Sequence, residues 1–462
     1  MSDESQTLTK VFNSSATAYD SVINWVETIP SHWSIELLKF HLLGIEQGWS
    51  PQSDNFPADE NEWGVLKVGA VNGWEFNPNE NKRLPADLEP LTEYEIKPGD
   101  LLVSRANTPE LVGSAALVKQ VRPKLLLCDK LYRLKINCRT LCPEYLVFYL
   151  RSPVARYEFE RDATGASSSM QNISQESVKN LFIPVPPVTE QRKIASYVDR
   201  QTAKIDTLIT AKQRLLELLT EKRRSLITHA VTRGLNPDAP LRDSGIEWLG
   251  EIPAHWNIER LRWFIKTLEQ GWSPQAEERE PGQEEWGVLK LNAVKDGQFD
   301  PSKAKALPAS IEIPVSLEIR SGDFLITRAN TPELVGDICY VHETRSQLIL
   351  SDLIYRLRLD ESKLDGKFLS YFLQAPSGRL QIEADARGSS ASMVKISQGH
   401  ILDWLLILPP LSEQQAIVAY IESEISKLAN LKEATEHTME LLQERRVALI
   451  SAAVTGQIRI SA

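Results

Sequence analysis

The chain has 462 residues, 42% hydrophobic and 25% charged, with a net charge of −10. That is the composition of an ordinary soluble protein with enough apolar content for two to four domains. The acidic balance runs against holding nucleic acid by bulk charge, which would need a local basic face or a partner that neutralises phosphates. Cys128, Cys138, Cys142 and Cys339 form no CxxC pair and have no His at ligand spacing. They argue against zinc and disulfides, and for a reducing cytoplasm.

The N-terminal tail, residues 1–19, is polar and lacks the basic and apolar stretches of a signal peptide. Residues 20–185 mix short strand-like runs with turn signals. Leu101-Leu-Val-Ser104 follows Pro98-Gly99-Asp100, and Leu125-Leu-Leu127 is similar. Pro143 to Tyr157 reads as helical, so this is an α+β globular domain. A Pro-rich stop, Pro184-Val-Pro-Pro187, precedes Thr189-Glu190-Gln191. The spacing predicts a helix start with the hydroxyl as cap and the acid in the first turn.

From there Ile194, Val198, Ile205, Leu208, Leu215, Leu219 and Leu226 follow 4-3 spacing, interrupted by Gln201, Lys212 and Lys222. This is an imperfect heptad seam within a spacer region, residues 186–242. A helix from Ile194 to Ala230 would be roughly 55 Å long, more than the roughly 35 Å between DNA half-sites one turn apart.

Residues 243–408 repeat the first domain at a constant offset. Glu46-Gln-Gly-Trp-Ser-Pro-Gln52 recurs from Glu269 and Glu62-Trp-Gly-Val-Leu-Lys67 from Glu285. Arg105-Ala-Asn-Thr-Pro-Glu-Leu-Val-Gly113 recurs from Arg328, and Asp129 with Tyr132-Arg133-Leu134 recurs as Asp352 with Tyr355-Arg356-Leu357. The register holds from Asp20/Asp243 to the C-terminus without a gap, so one structural unit is used twice. Gly366 to Leu380 reads as helical, like its first copy. The longest apolar run, Ile401 to Leu411, holds Asp403 and a Pro pair and is too short to span a bilayer.

The second spacer region, residues 409–462, opens with Ser412-Glu413-Gln414 and carries Ile417, Ile421, Leu428, Leu431, Leu442 and Leu449. Between Glu190 and Arg233 ten Lys/Arg oppose five Asp/Glu, whereas from Glu413 onward five oppose seven. Opposite charge bias predicts that the two helices pair with each other as an antiparallel coiled coil. The competing arrangement packs each helix on its own domain.

The alternation of domain, Pro-rich junction, Glu-Gln helix start and long helix resembles the specificity subunit of type I restriction–modification enzymes. Ile183-Pro-Val-Pro-Pro-Val-Thr-Glu-Gln-Arg192 and Leu408-Pro-Pro-Leu-Ser-Glu-Gln-Gln415 carry the resemblance. So do Thr164-Gly-Ala-Ser-Ser-Ser-Met-Gln-Asn-Ile-Ser174 and its partner from Arg387 to Ser397. The likeness covers residues 20–462. It implies two target-recognition domains reading a bipartite site on double-stranded DNA, with helices that set the gap. It also implies docking of two methyltransferase subunits that use S-adenosylmethionine, and two restriction subunits that use ATP and magnesium. No catalytic centre, metal or cofactor would belong to this chain.

Enzyme signatures are missing to match. There is no Asn/Asp-Pro-Pro-Tyr motif, no GxGxxG and no P-loop. A loose nuclease-like trio, Asp87, Glu95 and Lys97, becomes Ser310, Glu318 and Arg320 in the second copy. An enzyme and a two-headed protein scaffold are the competing readings.

Three segments offer groups for base edges and phosphates. The first holds Gln47, Ser50 and Gln52, with copies Gln270, Ser273 and Gln275. Trp49 and Trp272 between them stack on bases or anchor the loop. The second holds Arg105, Asn107 and Thr108, with copies Arg328, Asn330 and Thr331. Its structural alternative is a turn capped by Asn, with Arg paired to Glu110 or Glu333. The third is a polar Gly-Ser loop with Ser167, Ser168, Ser169, Gln171 and Asn172, and Ser389, Ser390, Ser392 and Lys395 in the copy. Heads with alike loops predict a near-palindromic site. Differences at Ser53–Asn61 and Gln171-Asn172 would distinguish its halves.

Overall fold

A computed structural model describes residues 29–167, 170–390 and 393–460. The chain divides into two compact units, Met1–Lys212 with His437–Ala462, and Gln213–Glu436. The division falls inside both long helices, not at the Pro-rich junctions, because each unit recruits a piece of each helix.

In the first unit the described strands are β1 (Ser34–Leu37), β2 (Leu42–Gln47), β3 (Gly64–Leu66), β4 (Asn81–Arg83), β5 (Leu101–Ser104), β6 (Ala106–Asn107), β7 (Ala115–Leu117), β8 (Leu125–Leu126), β9 (Leu131–Ile136), β10 (Thr164–Ser167), β11 (Met170–Asn172) and β12 (Phe182–Val185). An antiparallel sheet of order β2-β9-β5-β7 forms the centre, and a smaller sheet, β4-β3-β8, lies beside it. β5 is buried along its whole length. Leu101 and Val103 enter one core, and Leu102 enters the other with Val65, Leu66 and Leu125. A strand buried on both faces reads as a continuous apolar run, which is why Leu101-Leu-Val stands out in the sequence. In the second unit Phe324, Leu325 and Ile326 divide between two cores in the same way.

The buried guanidinium of Arg133 pins the central sheet. Its Nε donates to Glu46 at 2.7 Å, and its terminal nitrogens donate to the carbonyls of Glu95 and Glu93 at 2.8 Å. Asp100 completes the set at 3.2 Å. Arg356 repeats this with Glu269, the carbonyls of Glu318 and Ser316, and Asp323. The repeated Tyr-Arg-Leu motif is therefore a core motif, with a planar fork of donors joining the sheet to the preceding turn.

Helices α1 (Pro143–Leu150), α2 (Pro153–Asp162) and α3 (Gln175–Lys179) precede α4 (Val188–Arg233). In the second unit α5 (Gly366–Gln374), α6 (Pro376–Asp385) and α7 (Gln398–Asp403) precede α8 (Leu411–Val454). The segments expected to be helical, 143–157 and 366–380, each fall within two helices. Pro153 and Pro376 hold the preceding residues, Ser152 and Ala375, extended and restart the chain as a new helix.

The start of α4 also differs from the expected cap. Thr189 lies inside the first turn, and the Pro187 carbonyl takes the amides of Glu190 and Gln191 at 2.8 and 3.0 Å. Pro410 does the same for Glu413 and Gln414.

Long helices α4 and α8 have 46 and 44 residues. In the first unit Ile194 and Val198 of α4 share a core with Ile450 and Val454 of α8, and Asp206 pairs with Arg446 at 2.7 Å. Rising numbers on one helix meet falling numbers on the other, so the segments are antiparallel. In the second unit Leu226 and Val231 of α4 share a core with Ile417 and Ile421 of α8.

Both expected arrangements therefore operate together. Each helix packs on its own domain and meets the other helix there. Leu215, Leu219, Leu428, Leu442 and Leu449 are half-buried and Ile205 is buried. The expected seam fails at Leu208 and Leu431, which are 50% and 47% exposed. No described helix is long and apolar enough to cross a membrane.

Candidate nucleic-acid interface

In each unit the first two polar segments meet on one turn that carries an aspartate, and the third pairs with the strand of the second. In the first unit the turn is Cys128–Lys130. Ser50 donates its hydroxyl to Asp129, and the Asp129 amide returns a bond to that oxygen at 3.1 Å. The Arg105 amide donates to the Lys130 carbonyl at 2.8 Å, and its guanidinium reaches the Asp129 carbonyl at 3.5 Å. In the second unit Ser273 bonds Asp352 at 2.5 Å, Gln270 donates to the Asp352 carbonyl at 3.1 Å, and the Arg328 amide donates to the Leu353 carbonyl at 2.7 Å. Neither arginine pairs with Glu110 or Glu333.

The first loop lies against this turn because its glycine allows it. A Cβ at Gly48 would overlap the Leu127 carbonyl, and one at Gly271 would overlap those of Leu350 and Ser351. The Trp49 amide donates to Leu127 O at 2.9 Å and its ring packs on the core, so it anchors the loop. Trp272 is bound alike but 36% exposed. Gln47, Gln52, Gln270 and Gln275 stand exposed around the turn.

The third segment is a β-hairpin where the sequence suggested a loop. β10 pairs with β11, and β11 pairs with β6, placing Gln171 opposite Asn107 and Asn172 opposite Ala106. In the second unit Arg387 pairs with Lys395, Val394 lies opposite Asn330, and Lys395 lies opposite Ala329. Alternating small and polar residues can satisfy the backbone by pairing with the Arg-Ala-Asn strand. Ser168, Ser169 and Ser392 lie outside the described residues, and Ser390 is placed only as the main chain that pairs with Met393.

Asn107 is buried. Its Nδ2 donates to Asn72 at 2.8 Å and its Oδ1 accepts the Thr108 amide at 2.9 Å. Asn330 accepts the Thr331 amide in the same way. Both shape the turn beside the arginine, while Thr108 stays exposed and Thr331 is half-buried.

The variable stretch after the first loop is acidic and tied down internally. Asp54 pairs with Arg83 at 2.7 Å, and Glu277 pairs with Arg279 at 2.7 Å. Hydrogen bonds from the Arg279 guanidinium and the Gly282 amide hold the Glu285 carboxyl down at about 2. Fixed carboxylates repel phosphate, so this stretch suits the rim of the surface.

Residue reasoning missed Asp129, Asp352 and Lys130 as parts of this edge, although the unbroken repeat of the aspartate pointed to the first two. It also missed the work of the Glu-Gln motif. The Gln191 amide is buried; its Oε1 accepts the Cys142 amide at 2.7 Å, and its Nε2 donates to Pro186 and Thr140 carbonyls at 2.8 and 3.1 Å. Gln414 repeats this with Asp365, Pro409 and Lys363. Glu190 takes His32 at 3.0 Å, and Glu413 takes His255 at 2.9 Å. Each motif fastens a helix to its domain. Among the described residues no group of three or more His, Cys, Asp or Glu could hold a metal ion.

A domain profile described as the type I restriction modification DNA specificity domain matches residues 73–218. The EcoEI specificity subunit of Escherichia coli is 30% identical over 241 residues, which is 52% of this chain and 40% of that subunit. A putative specificity subunit, MjaX, of Methanocaldococcus jannaschii is 23% identical over 94% of this chain and 95% of its own length. The fold is shared with the HsdS subunit from Thermoanaerobacter tengcongensis, with a TM-score of 0.56, 18% identity and coverage of 93% of this chain and 98% of that one. A chain from a type I restriction–modification complex aligns with a TM-score of 0.69 at 18% identity, over 93% of this chain and all of that one. Two alike units, each presenting a polar edge and recruiting both helices, make sense of these likenesses: the chain belongs to the DNA-specificity subunits of type I restriction–modification systems, the non-catalytic members of those enzymes.

Proposed function

We propose that each unit is a target-recognition domain reading one half of a bipartite, near-palindromic DNA site. The observation that carries this is that the first two polar segments meet on the Asp129 turn, and again on the Asp352 turn, while the hairpin pairs with the strand of the second segment in each unit. Gln47, Gln52, Thr108 and Arg105 and their copies Gln270, Gln275, Thr331 and Arg328 supply donors and acceptors for base edges and phosphates. Ser50, Ser273, Asn107 and Asn330 position them. Gln171, Asn172, Ser390 and Lys395 belong to the hairpins that complete the edge, and Ser168, Ser169 and Ser392 are proposed beside them on the sequence alone. Identical segments in both units favour half-sites that are alike.

The spacer helices set the gap and dock two methyltransferase subunits, which bring S-adenosylmethionine. Two restriction subunits, working with ATP and magnesium, join for the nuclease form in the cytoplasm. Leucines left exposed at matching positions support docking: Leu208 and Leu218 on α4, and Leu431 and Leu441 on α8, each about half exposed. Partner subunits would supply the positive charge that this chain lacks. The net charge of −10 also supports a second reading, a two-headed protein scaffold.

Co-expression with its methyltransferase subunit, followed by single-molecule sequencing for N6-methyladenine, separates the two. A bipartite motif with a fixed gap is expected. An assembled, folded complex that methylates nothing and binds no DNA would leave the scaffold.

A further inference from the structure

The two reading edges differ in where they carry positive charge, and the gapless duplication makes that difference legible. The first two segments are identical between units, from Glu46 to Gln52 and from Arg105 to Gly113. The aspartate turn and the hairpin are not. The turn reads Asp129-Lys130 in the first unit and Asp352-Leu353 in the second. The cross-strand pair at the hairpin's base is Thr164 with Asn172 in the first unit and Arg387 with Lys395 in the second.

These positions flank one strand. The Lys130 carbonyl accepts the Arg105 amide on one side of Arg105-Ala106, and Asn172 pairs with Ala106 on the other. In the second unit Leu353 and Lys395 flank Arg328-Ala329 in the same way. Positive charge thus sits on the turn side in the first unit and on the hairpin side in the second. Lys130 and Lys395 are both exposed, and neither takes part in an ion pair among the described residues. The neighbouring difference, Gln171 against Val394, has a packing cause, because Val394 lies against the core.

We propose that Lys130/Leu353 and the pairs Thr164–Asn172/Arg387–Lys395 are the specificity-determining positions that make the two half-sites unequal. This rests on the reading of both units as target-recognition domains. A lysine or arginine suits the guanine acceptors, and an asparagine suits adenine. The half-sites then agree where the shared segments touch. The first carries guanine beneath the turn and adenine beneath the hairpin, and the second carries guanine beneath the hairpin.

Transplanting these residues tests the idea. One chain carries Lys130→Leu, Thr164→Arg and Asn172→Lys; a second carries the reciprocal changes Leu353→Lys, Arg387→Thr and Lys395→Asn. Each is co-expressed with the methyltransferase subunit, and the methylated motif is sequenced beside that of the unaltered complex. The first variant is expected to convert its half-site into the other, giving a perfect palindrome with the gap unchanged. The preference for the old base should fall about tenfold or more. The reciprocal variant should give the opposite palindrome and keeps the test alive if the first misfolds. Unchanged motifs at lower affinity mean phosphate contacts only and overturn the proposal, as does lost methylation with folding intact. Failure of the unaltered complex to methylate a bipartite site would instead sink the reading beneath it.

Discussion

The two units share a fold but join their domains to the helices by different means. In the first, Trp74 meets two guanidiniums, with Arg446 at 4.0 Å and Arg151 at 5.8 Å from the ring centroid. A cavity of about 770 Å³ opens beside them, lined also by Phe148, Asp199 and Asp206. Burial, reinforced by the charge of Arg446, pushes Arg151 down to about 10. The second unit has Gly297 where Trp74 stands, Gln374 for Arg151, Arg223 for Arg446 and Ala429 for Asp206. Gly297 has φ +78°, and a Cβ there would overlap the Gln374 amide, which bonds Ser370 Oγ at 2.9 Å. Arg223 is exposed. A joint built on stacked cations tolerates a cavity; one built on glycine closes by backbone approach. By contrast the Arg133/Arg356 hub and the Gln191/Gln414 fastener are kept, because each satisfies buried backbone groups that any version of this fold must satisfy.

Breaking what the units share should cost most. Arg133→Ala and Arg356→Ala should each destabilise by about 3–5 kcal/mol in denaturant titrations, since each strands two carboxylates and two carbonyls. Equal losses would show that the hub is the same device twice.

Gln191→Leu should cost about 2–3 kcal/mol by leaving the Cys142 amide and two carbonyls unpaired. Faster hydrogen exchange at Cys142 checks this, and Gln414→Leu should do the same at Asp365.

The joints should then behave differently. Trp74→Ala should cost about 2 kcal/mol by removing both cation contacts. Gly297→Ala should cost about 1–2 kcal/mol through its positive φ, even though it adds only a methyl. Little loss on Trp74→Ala would mean that the cavity edge carries no stability.

The smallest effect concerns pH. Burial raises the Glu46 carboxyl, but the hydrogen bond and charge of Arg133, with Lys135, outweigh it and hold it below its usual range. A depressed carboxylate stabilises the fold above its unfolded value, roughly 4.3, and loses that stabilisation as pH falls through the folded value. The stability gap between the wild type and Glu46→Gln should therefore be widest near neutrality and shrink in acid. Asp323 moves the opposite way, raised by burial despite Arg356 and Arg358. Its ionised form is disfavoured in the fold, so its contribution improves as pH falls below its raised value. A gap for Glu46→Gln that stays constant from neutrality into acid would show that Arg133 does not hold this carboxylate.

The sequence by itself determined the duplication, the α+β class and the two long helices, and it marked the three segments that meet at each edge. Those features are periodic or repeated, and local chemistry dictates them. The doubly buried run Leu101-Leu-Val103, the heptad leucines and the unbroken register are readable one residue at a time. Other features depended on groups far apart in the chain and only the tertiary structure decided them. Thr189 lost the cap to Pro187 because the proline carbonyl already faced the free amides. The Gly-Ser loop became a hairpin because the Arg-Ala-Asn strand offered an open backbone edge. Asn107 turned inward because Asn72 met it. Leu208 and Leu431 fell outside the seam while the apolar residues nearer the helix ends went into the domain cores. Spacing can say that a residue is apolar or can hydrogen-bond; which distant group it meets is set by the fold as a whole.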